Sequence, residues 1–350
     1  MSKTRLGIVF GGRSDEHEIS IMSAASVLSE INKDKYDIVL FAIDKSGCWY
    51  FIEKDLSGLS DLSDPRIPGL TEGEKRATIS AFDEMTDFAF PVLHGPYGED
   101  GTIQGLFEML GKPYAGCGVV ASAVSMEKVL TKEIWSNAGL PVSDYTLTTR
   151  RKYLESPEEE VRRIEEQLPY PVFVKPANMG SSVGISKVKN RDSLTIALET
   201  ALKYDKRVII EQTVFGREIE IGVVGNEIPE VSAVGEILPE NEYYDYYSKY
   251  QGTGTKLIIP ADIPEVIKKE TEDLAGKAYT ALDGEGFARI DLFYDEKQEK
   301  IYLNEMNAIP GFTRFSMFPL LWREKGVEYG ELIERIIGLG YERYNASHCR

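Results

Sequence analysis

Residues 6–31 read LGIVFGGRSDEHEISIMSAASVLSEI, and this stretch decides the fold class. Its first five residues, 6–10, are apolar in type and have the length and character of a buried parallel strand. Gly11-Gly12 ends the run, and Ile21, Ala25, Leu28 and Ile31 then recur at helical spacing. Outward from this unit, residues 37–43 and 87–93 predict two further strands. Residues 101–110 predict a helix with Ile103, Leu106, Phe107 and Leu110 on one face. Strands alternating with helices imply a parallel sheet covered on both faces. This first α/β domain is expected to span residues 1–116.

Further on, the pattern becomes α+β. Ser122 predicts the N-cap of a helix running to Gly139, with Pro141 two residues beyond. Ser156-Pro157-Glu158-Glu159 reads as a capping box with proline at the first helical position, and Val161, Ile164 and Leu168 give that helix its buried face. Strands at 171–175, 184–188 and 207–211 and a helix at 192–204 complete a small central α+β domain, 117–211. A C-terminal α+β domain, 212–350, is richer in strand, at 218–224, 230–236, 287–294 and 301–307. Its helices are expected at 264–282 and 327–337. Residues 238–256 are polar, tyrosine-rich and long for a connection inside a compact domain, hence either disordered or a functional lid.

Bulk composition narrows the function. A chain of 350 residues exceeds one ordinary core, and 42% hydrophobic with 28% charged residues is a normal globular balance. The net charge of −17, from 57 acidic and 40 basic residues, repels nucleic acid and anionic membrane, so neither is an expected partner. A nucleotide site on such a protein must concentrate its own cations. Cys48, Cys117 and Cys349 lie far apart with no CxxC pair, which argues against a zinc site or disulfide scaffold and fits a reducing, cytoplasmic compartment. No run approaches the roughly 18 apolar residues of a transmembrane helix, and the apolar stretch at the N-terminus is too short for a secretory signal.

Three groups of residues have chemical potential. Gly180-Ser181-Ser182-Val183-Gly184 lies between apparent strands, so it is not a Walker loop. It is either an ordinary hairpin or a loop that lays backbone N–H groups and two hydroxyls over phosphates, with Lys175 in reach. Asp291, Glu305 and Asn307 fall on two apparently adjacent strands, with Glu305 and Asn307 two apart and on one face. Three hard oxygen ligands suit Mg²⁺, and acids inside apolar strands are costly unless paired or metal-bound. Arg289, two before Asp291, either stabilises an oxyanion together with an N–H of the loop 310–313 or pairs with an acid. At the first strand-to-helix turn, Asp15 and Glu18 are explained by capping, and Glu16 is not. His17 and His94 serve either as bases or as capping and core residues.

Read together, these motifs resemble the D-alanine–D-alanine ligases of the ATP-grasp superfamily. The resemblance runs in order through 11–20, 93–105, Ser125-Met126-Glu127-Lys128, 174–187, 211–218, 244–250, 289–291 and 304–316. It implies an ATP-grasp fold in which the second and third domains hold ATP and the first holds the first amino acid. Glu16 would bind the ammonium of the first D-alanine, with His94 also at the substrate. Lys128, Lys175, Ser181 and Ser182 would hold phosphates; Glu211, Val214 and Glu218 would contact adenine and ribose. Asp291, Glu305 and Asn307 would carry two Mg²⁺ ions, with Mn²⁺ able to substitute. Arg289 and the Gly311 N–H would stabilise the tetrahedral intermediate, and Ser316 would hold the second carboxylate. Lys249 and Tyr250 would come from a closing loop, 238–256. Tyr250 and Met317 point to a peptide-forming member rather than one making an ester or using D-serine. The resemblance further implies a cytoplasmic homodimer serving peptidoglycan synthesis.

Overall fold

The computed structural model describes residues 3–59, 61–180, 182–238 and 256–348, which build three sheets. Apart from its two end residues, the expected lid 238–256 lies outside the described residues. In the first sheet β1 (Thr4–Gly11) lies between β2 (Tyr36–Ile43) and β5 (Phe88–Pro91) and runs parallel to both. β3 (Trp49–Phe51) and β4 (Lys75–Arg76) extend the β2 edge in antiparallel fashion; at three and two residues they are too short to show a period in sequence. Leu6, Ile8 and Phe10 enter one core while Val9 enters another with Phe41 and Ile43. Both faces of β1 are therefore buried, which explains its unbroken apolar run. Helices α1 (His17–Glu30), α2 (Ile79–Met85) and α3 (Thr102–Met109) accompany this sheet.

The single helix expected between Ser122 and Gly139 is two, α4 (Val119–Met126) and α5 (Lys128–Asn137). Gly118 is the N-cap of the first, so Ser122 lies within it. Glu127 starts the second, its carboxylate accepting the Leu130 N–H at 2.7 Å. This break sets Lys128 at the first position of α5. Lower on α5, the buried Trp135 donates from Nε1 to the Ala278 carbonyl at 2.9 Å.

The second sheet has the order β6-β9-β7-β8, from β6 (Tyr145–Thr149), β7 (Val172–Pro176), β8 (Ser186–Val188) and β9 (Arg207–Gln212), with every pairing antiparallel. Helices α6 (Arg150–Glu155), α7 (Pro157–Gln167) and α8 (Arg191–Tyr204) belong to it, and α7 and α8 bury Val161, Ile164, Leu194 and Leu198 against Val172 and Val174. Pro157 opens α7 as expected, but the Ser156 side chain makes no cap bond; a reciprocal capping box forms instead at α8, between Asn190 and Ser193.

The third sheet, β12-β11-β10-β13-β14, is wholly antiparallel. Its strands are β10 (Arg217–Val224), β11 (Glu230–Leu238), β12 (Lys256–Ile258), β13 (Phe287–Asp295) and β14 (Lys300–Asn307). Ile219, Ile221 and Val223 point to α9 (Glu265–Ala281). The alternate face receives α10 (Met317–Glu324), close enough that a Cβ on Gly222 would stand 2.8 Å from Trp322 Nε1. Glu220 shares that face, and so do its cross-strand neighbour Asp291 and Arg289.

The last helix, α11 (Tyr329–His348), outruns its expected end and returns to the first sheet. Leu332, Ile333, Ile336 and Ile337 share one core with Leu6, Ile8 and Phe88 and with Phe287, Phe312 and Phe318. Each such side chain contributes roughly 1.5–3 kcal/mol on burial. Gly340 permits the approach, since a Cβ there would lie 2.4 Å from the Tyr114 carbonyl oxygen. The first sheet and the third unit are thus held by continuous packing. Among the described residues no helix is long and apolar enough to cross a membrane.

Candidate active site

The three sheets face a cavity of about 890 Å³. The first sheet brings residues from the C-terminal ends of β1 and β5, where open α/β sheets place their ligands. The α4–α5 break brings Lys128, and the β7–β8 hairpin brings Gly180 and Ser182. β13 and β14 bring Arg289, Glu305 and Asn307, and the loop after them brings Gly311, Ser316 and Met317.

Glu16 is nearly buried just ahead of α1 and uses no side-chain bond to cap it. Its carboxylate instead lies beside Gly95 and Gly180; a Cβ on Gly95 would come 3.1 Å from Glu16 Oε2. Ser14 frames the turn, its hydroxyl donating to the His94 carbonyl at 2.6 Å and accepting the Glu16 N–H at 3.2 Å. The His94 ring bridges the Ile309 carbonyl (Nδ1, 3.0 Å) and the Ser23 hydroxyl (Nε2, 2.9 Å), and burial lowers its pKa. Both nitrogens are engaged, so the structure gives His94 the work of joining β5, α1 and the loop after β14. Glu99 accepts the Gly95 N–H at 2.7 Å, and burial together with the charge of Glu16 pushes its pKa up to about 8.

On the opposite wall Lys128 Nζ donates to the Met179 carbonyl at 2.7 Å and lies 3.7 Å from Glu305 Oε2. The flanks of the glycine-rich loop pair antiparallel, so it is a hairpin as expected. Gly184, at φ +73°, could not bear a side chain, because a Cβ would meet Tyr204 at 2.8 Å and Pro176 at 2.9 Å. Lys175 points from β7 to Glu211 on β9, Nζ to Oε2 at 2.5 Å.

On β13 and β14, Asp291 lies opposite Glu305 and Arg289 opposite Asn307. The Asp291 carboxylate accepts two bonds from Arg289 and a third from Asn307 Nδ2 at 2.9 Å. Arg289 also lies 3.0 Å from Glu220 Oε2. The two readings of Arg289 left open by the sequence are compatible: it pairs with acids behind it and lines the cavity in front. Beyond β14, the Ser316 hydroxyl accepts the Thr313 N–H at 3.1 Å. A Cβ on Gly311 would come 3.1 Å from that hydroxyl, so glycine keeps this turn open. Met317 is buried with Ile237 and Leu321 beside it.

Not every candidate meets the cavity. Lys175, Glu211, Val214, Glu218 and Asp291 are absent from its wall, Asp291 lying behind Arg289 at 2% exposure. Ser181, Lys249 and Tyr250 lie outside the described residues. Two residues escaped the sequence reading, Glu220 and Lys132, and a third, Glu99, was seen at its turn but given no role. Glu99 passes for a capping acid, Glu220 for one of the polar positions of an alternating strand, and Lys132 for a solvated helix lysine. Lys132 is in fact buried, its Nζ 2.7 Å from Glu211 Oε1 and 3.1 Å from the Ser143 hydroxyl. The i,i+4 spacing of Lys128 and Lys132 on one helix face was the available signal.

Comparison with known proteins adds to this geometry. Residues 5–117 match the family model described as the D-ala D-ala ligase N-terminus, and residues 134–338 match that of the D-ala D-ala ligase C-terminus. The chain is 44% identical to a D-alanine–D-alanine ligase of Acetivibrio thermocellus, over 98% of this chain and 97% of that one. It is 46% identical to one from Geobacillus thermodenitrificans, over 98% and 96%. Among solved structures, the VanG D-Ala:D-Ser ligase of Enterococcus faecalis superposes with a TM-score of 0.87 at 33% identity, covering 97% of this chain and all of that one. The D-alanine–D-alanine ligase of Coxiella burnetii gives 0.87 at 32% identity, covering 100% and 97%.

Proposed function

The chain belongs to the D-alanine–D-alanine ligase family, and we propose that it forms its dipeptide through a D-alanyl phosphate in the cavity between its sheets. The enzyme joins two D-alanines at the expense of ATP, the reaction by which this family supplies peptidoglycan synthesis. The observation that supports the finer reading is convergence. Glu16, Lys128, Arg289, Glu305, Gly311 and Ser316, spread over 300 residues of chain, line a single cavity.

In this reading Glu16 receives the ammonium of the first D-alanine, and His94 fixes the wall beside it. Lys128 and Lys175, with Ser181 and Ser182, receive the phosphates of ATP; Glu211, Val214 and Glu218 receive adenine and ribose. The first D-alanine's carboxylate attacks the γ-phosphorus, a new O–P bond forms and ADP leaves; the protein contributes position and charge. The second D-alanine, its carboxylate held by Ser316 and its methyl beside Met317, loses a proton from its ammonium to solvent, and the free amine attacks the acyl carbon, giving up a second proton as the C–N bond forms. Negative charge gathers on the carbonyl oxygen, where Arg289 and the Gly311 N–H stabilise it, and phosphate leaves. Residues 238–256 act as a lid that keeps water from the acyl phosphate, with Lys249 at the phosphates and Tyr250 bonded to Glu16 and Ser181.

Asp291, Glu305 and Asn307 would hold two magnesium ions, with manganese as a substitute. Glu305 and Asn307 present hard oxygen donors to the cavity that suit such a cation, and Asp291, behind Arg289, would have to exchange its bonds to Arg289 and Asn307 to join them. Among the described residues no three His, Cys, Asp or Glu side chains gather into a group that could hold a metal ion, so in this reading phosphate oxygens and water would supply most of the shell. Bound there, the ions would neutralise charge on the transferring phosphoryl group. The division into 1–116, 117–211 and 212–350, the homodimer and the cytoplasmic location are likewise our proposals. Measuring phosphate release from ATP across D- and L-amino acids tests the assignment. D-alanine alone should drive turnover and yield one dipeptide per phosphate; turnover confined to L-amino acids, or ATP binding without phosphate release, would overturn it.

A further inference from the structure

Glu211, 4% exposed on β9, presents one carboxylate oxygen to each of two ammonium groups, Lys132 at 2.7 Å and Lys175 at 2.5 Å. One buried acid needs one counter-ion. A second on the same carboxylate means that one of the two cations can leave Glu211 without uncovering its charge. The two lysines differ in access. The Lys175 side chain is 12% exposed, on the strand that leads into the glycine-rich loop. Lys132 is 1% exposed on α5, its ammonium enclosed by Glu211 and Ser143, with the Tyr145 ring centroid 6.0 Å away.

We propose that Lys132 is a positioning residue for the nucleotide: it stays on Glu211 as a fixed counter-ion while Lys175 leaves that carboxylate for the phosphates of ATP. The inference rests on the roles given above to Lys175 and Glu211. Without Lys132, the departure of Lys175 would strand an ionised carboxylate in the interior. Glu211 would then either hold Lys175 back or take up a proton, and each response weakens ATP binding.

The surroundings of Glu211 support this. Lys132 reaches it from α5 and Lys175 from β7, and Tyr145 lies opposite on β6; burial lowers the Lys132 pKa against the pull of Glu211 and Glu305, while Glu305 and Glu218 help to hold Lys175 charged. Burial alone would raise the Glu211 pKa; the two ammonium groups overcome it and hold the acid at about 2. With Lys132 removed and Lys175 on phosphate, burial acts unopposed. Glu211 then has a higher pKa in the ATP complex than in the free protein, so binding takes up a proton and affinity falls as pH rises.

The test is calorimetry of ATP binding to the full chain in buffers of different ionisation enthalpy, with KM values alongside. Lys132→Met should weaken ATP by about tenfold or more, and ATP binding should take up roughly one proton more than in the unaltered protein. Its D-alanine KM should stay put, and Lys132→Arg, which keeps the charge, should abolish the extra proton. Unchanged proton uptake in Lys132→Met, with only lowered thermal stability, would overturn the proposal and leave the ligase reading intact. Should Lys132→Met fail to fold, Glu211→Gln is compared with the double variant Glu211→Gln/Lys132→Met. Once Glu211 is neutral, losing Lys132 should weaken ATP no further; a second full loss would refute the role. Undiminished ATP binding by Lys175→Met would overturn the assignment of Lys175 and this inference with it.

Discussion

Arg289 and Asp291, two residues apart on β13, are joined by two hydrogen bonds, Nε to Oδ1 at 2.6 Å and Nη2 to Oδ2 at 2.8 Å. The same guanidinium lies 3.0 Å from Glu220, so one cation serves two acids that are each 2% exposed. Replacing Arg289 by Met leaves both acids without it. We expect a stability loss of about 3–5 kcal/mol, the scale for breaking a buried ion pair. kcat should fall on the order of 10²–10³-fold with the loss of the proposed oxyanion donor. Arg289→Lys should recover part of the stability and little of the rate, because an ammonium cannot reproduce the two-pronged bond. Denaturant unfolding and steady-state rates check both; full stability in Arg289→Met would show that the pair carries no such load.

Glu305 tests the metal proposal. Its carboxylate lies across the strand pair from Asp291 and 3.7 Å from Lys128 Nζ. Glu305→Gln keeps the shape and removes the charge, and kcat should drop on the order of 10²–10³-fold even at saturating Mg²⁺. Near-normal turnover under those conditions would sink the assignment.

Lys128 opens α5 and donates to the Met179 carbonyl, one residue before the glycine-rich loop. With Met in its place, KM for ATP should rise by about tenfold or more while KM for D-alanine holds, as the proposed role at phosphate requires. A rise confined to D-alanine would place Lys128 at the wrong substrate.

What the sequence made legible follows from where periodicity survives packing. β1 showed as an unbroken apolar run because its alternate residues enter two separate cores. Arg289, Asp291, Glu305 and Asn307 stood out as polar residues within otherwise apolar strands, at spacings that fixed their faces. The α4–α5 break did not show, because Glu127 interrupts the helix without glycine or proline and its cap is a side-chain bond to Leu130. Lys132, and with it the pairing to Glu211, stayed hidden for another reason. Each is ordinary within its own element, and they meet only when α5 packs beside β9, far away in sequence. Glu220 was disguised by the alternation of Arg217-Glu218-Ile219-Glu220-Ile221, which reads as a half-solvated strand although α10 covers that face.

The acid pair at the first-sheet end of the cavity predicts a pH dependence of defined sign. Glu99 accepts the Gly95 N–H at 2.7 Å, and burial, reinforced by the charge of Glu16, raises its pKa from an ordinary 4.5 to about 8. Between those two values the folded chain binds a proton on Glu99 that the unfolded chain has released. Stability must therefore fall as pH rises through this window and level off above it. Glu211 behaves in the opposite sense: its pKa is depressed to about 2, so its contribution is present above 4.5 and is lost as pH falls towards 2. Replacing Glu99 by Gln isolates the first effect, because the amide cannot ionise and its oxygen can still accept the Gly95 N–H. Relative to the unaltered protein, Glu99→Gln should gain stability steadily from about pH 5 to 8 and hold that gain at pH 9. Unfolding both proteins across this range, in matched buffers, measures the difference directly. A constant difference would mean that Glu99 is ionised in the folded state. Glu16 and Glu99 would then stand as two negative charges beside Gly95, and a single carboxylate receiving the D-alanine ammonium would no longer describe that wall.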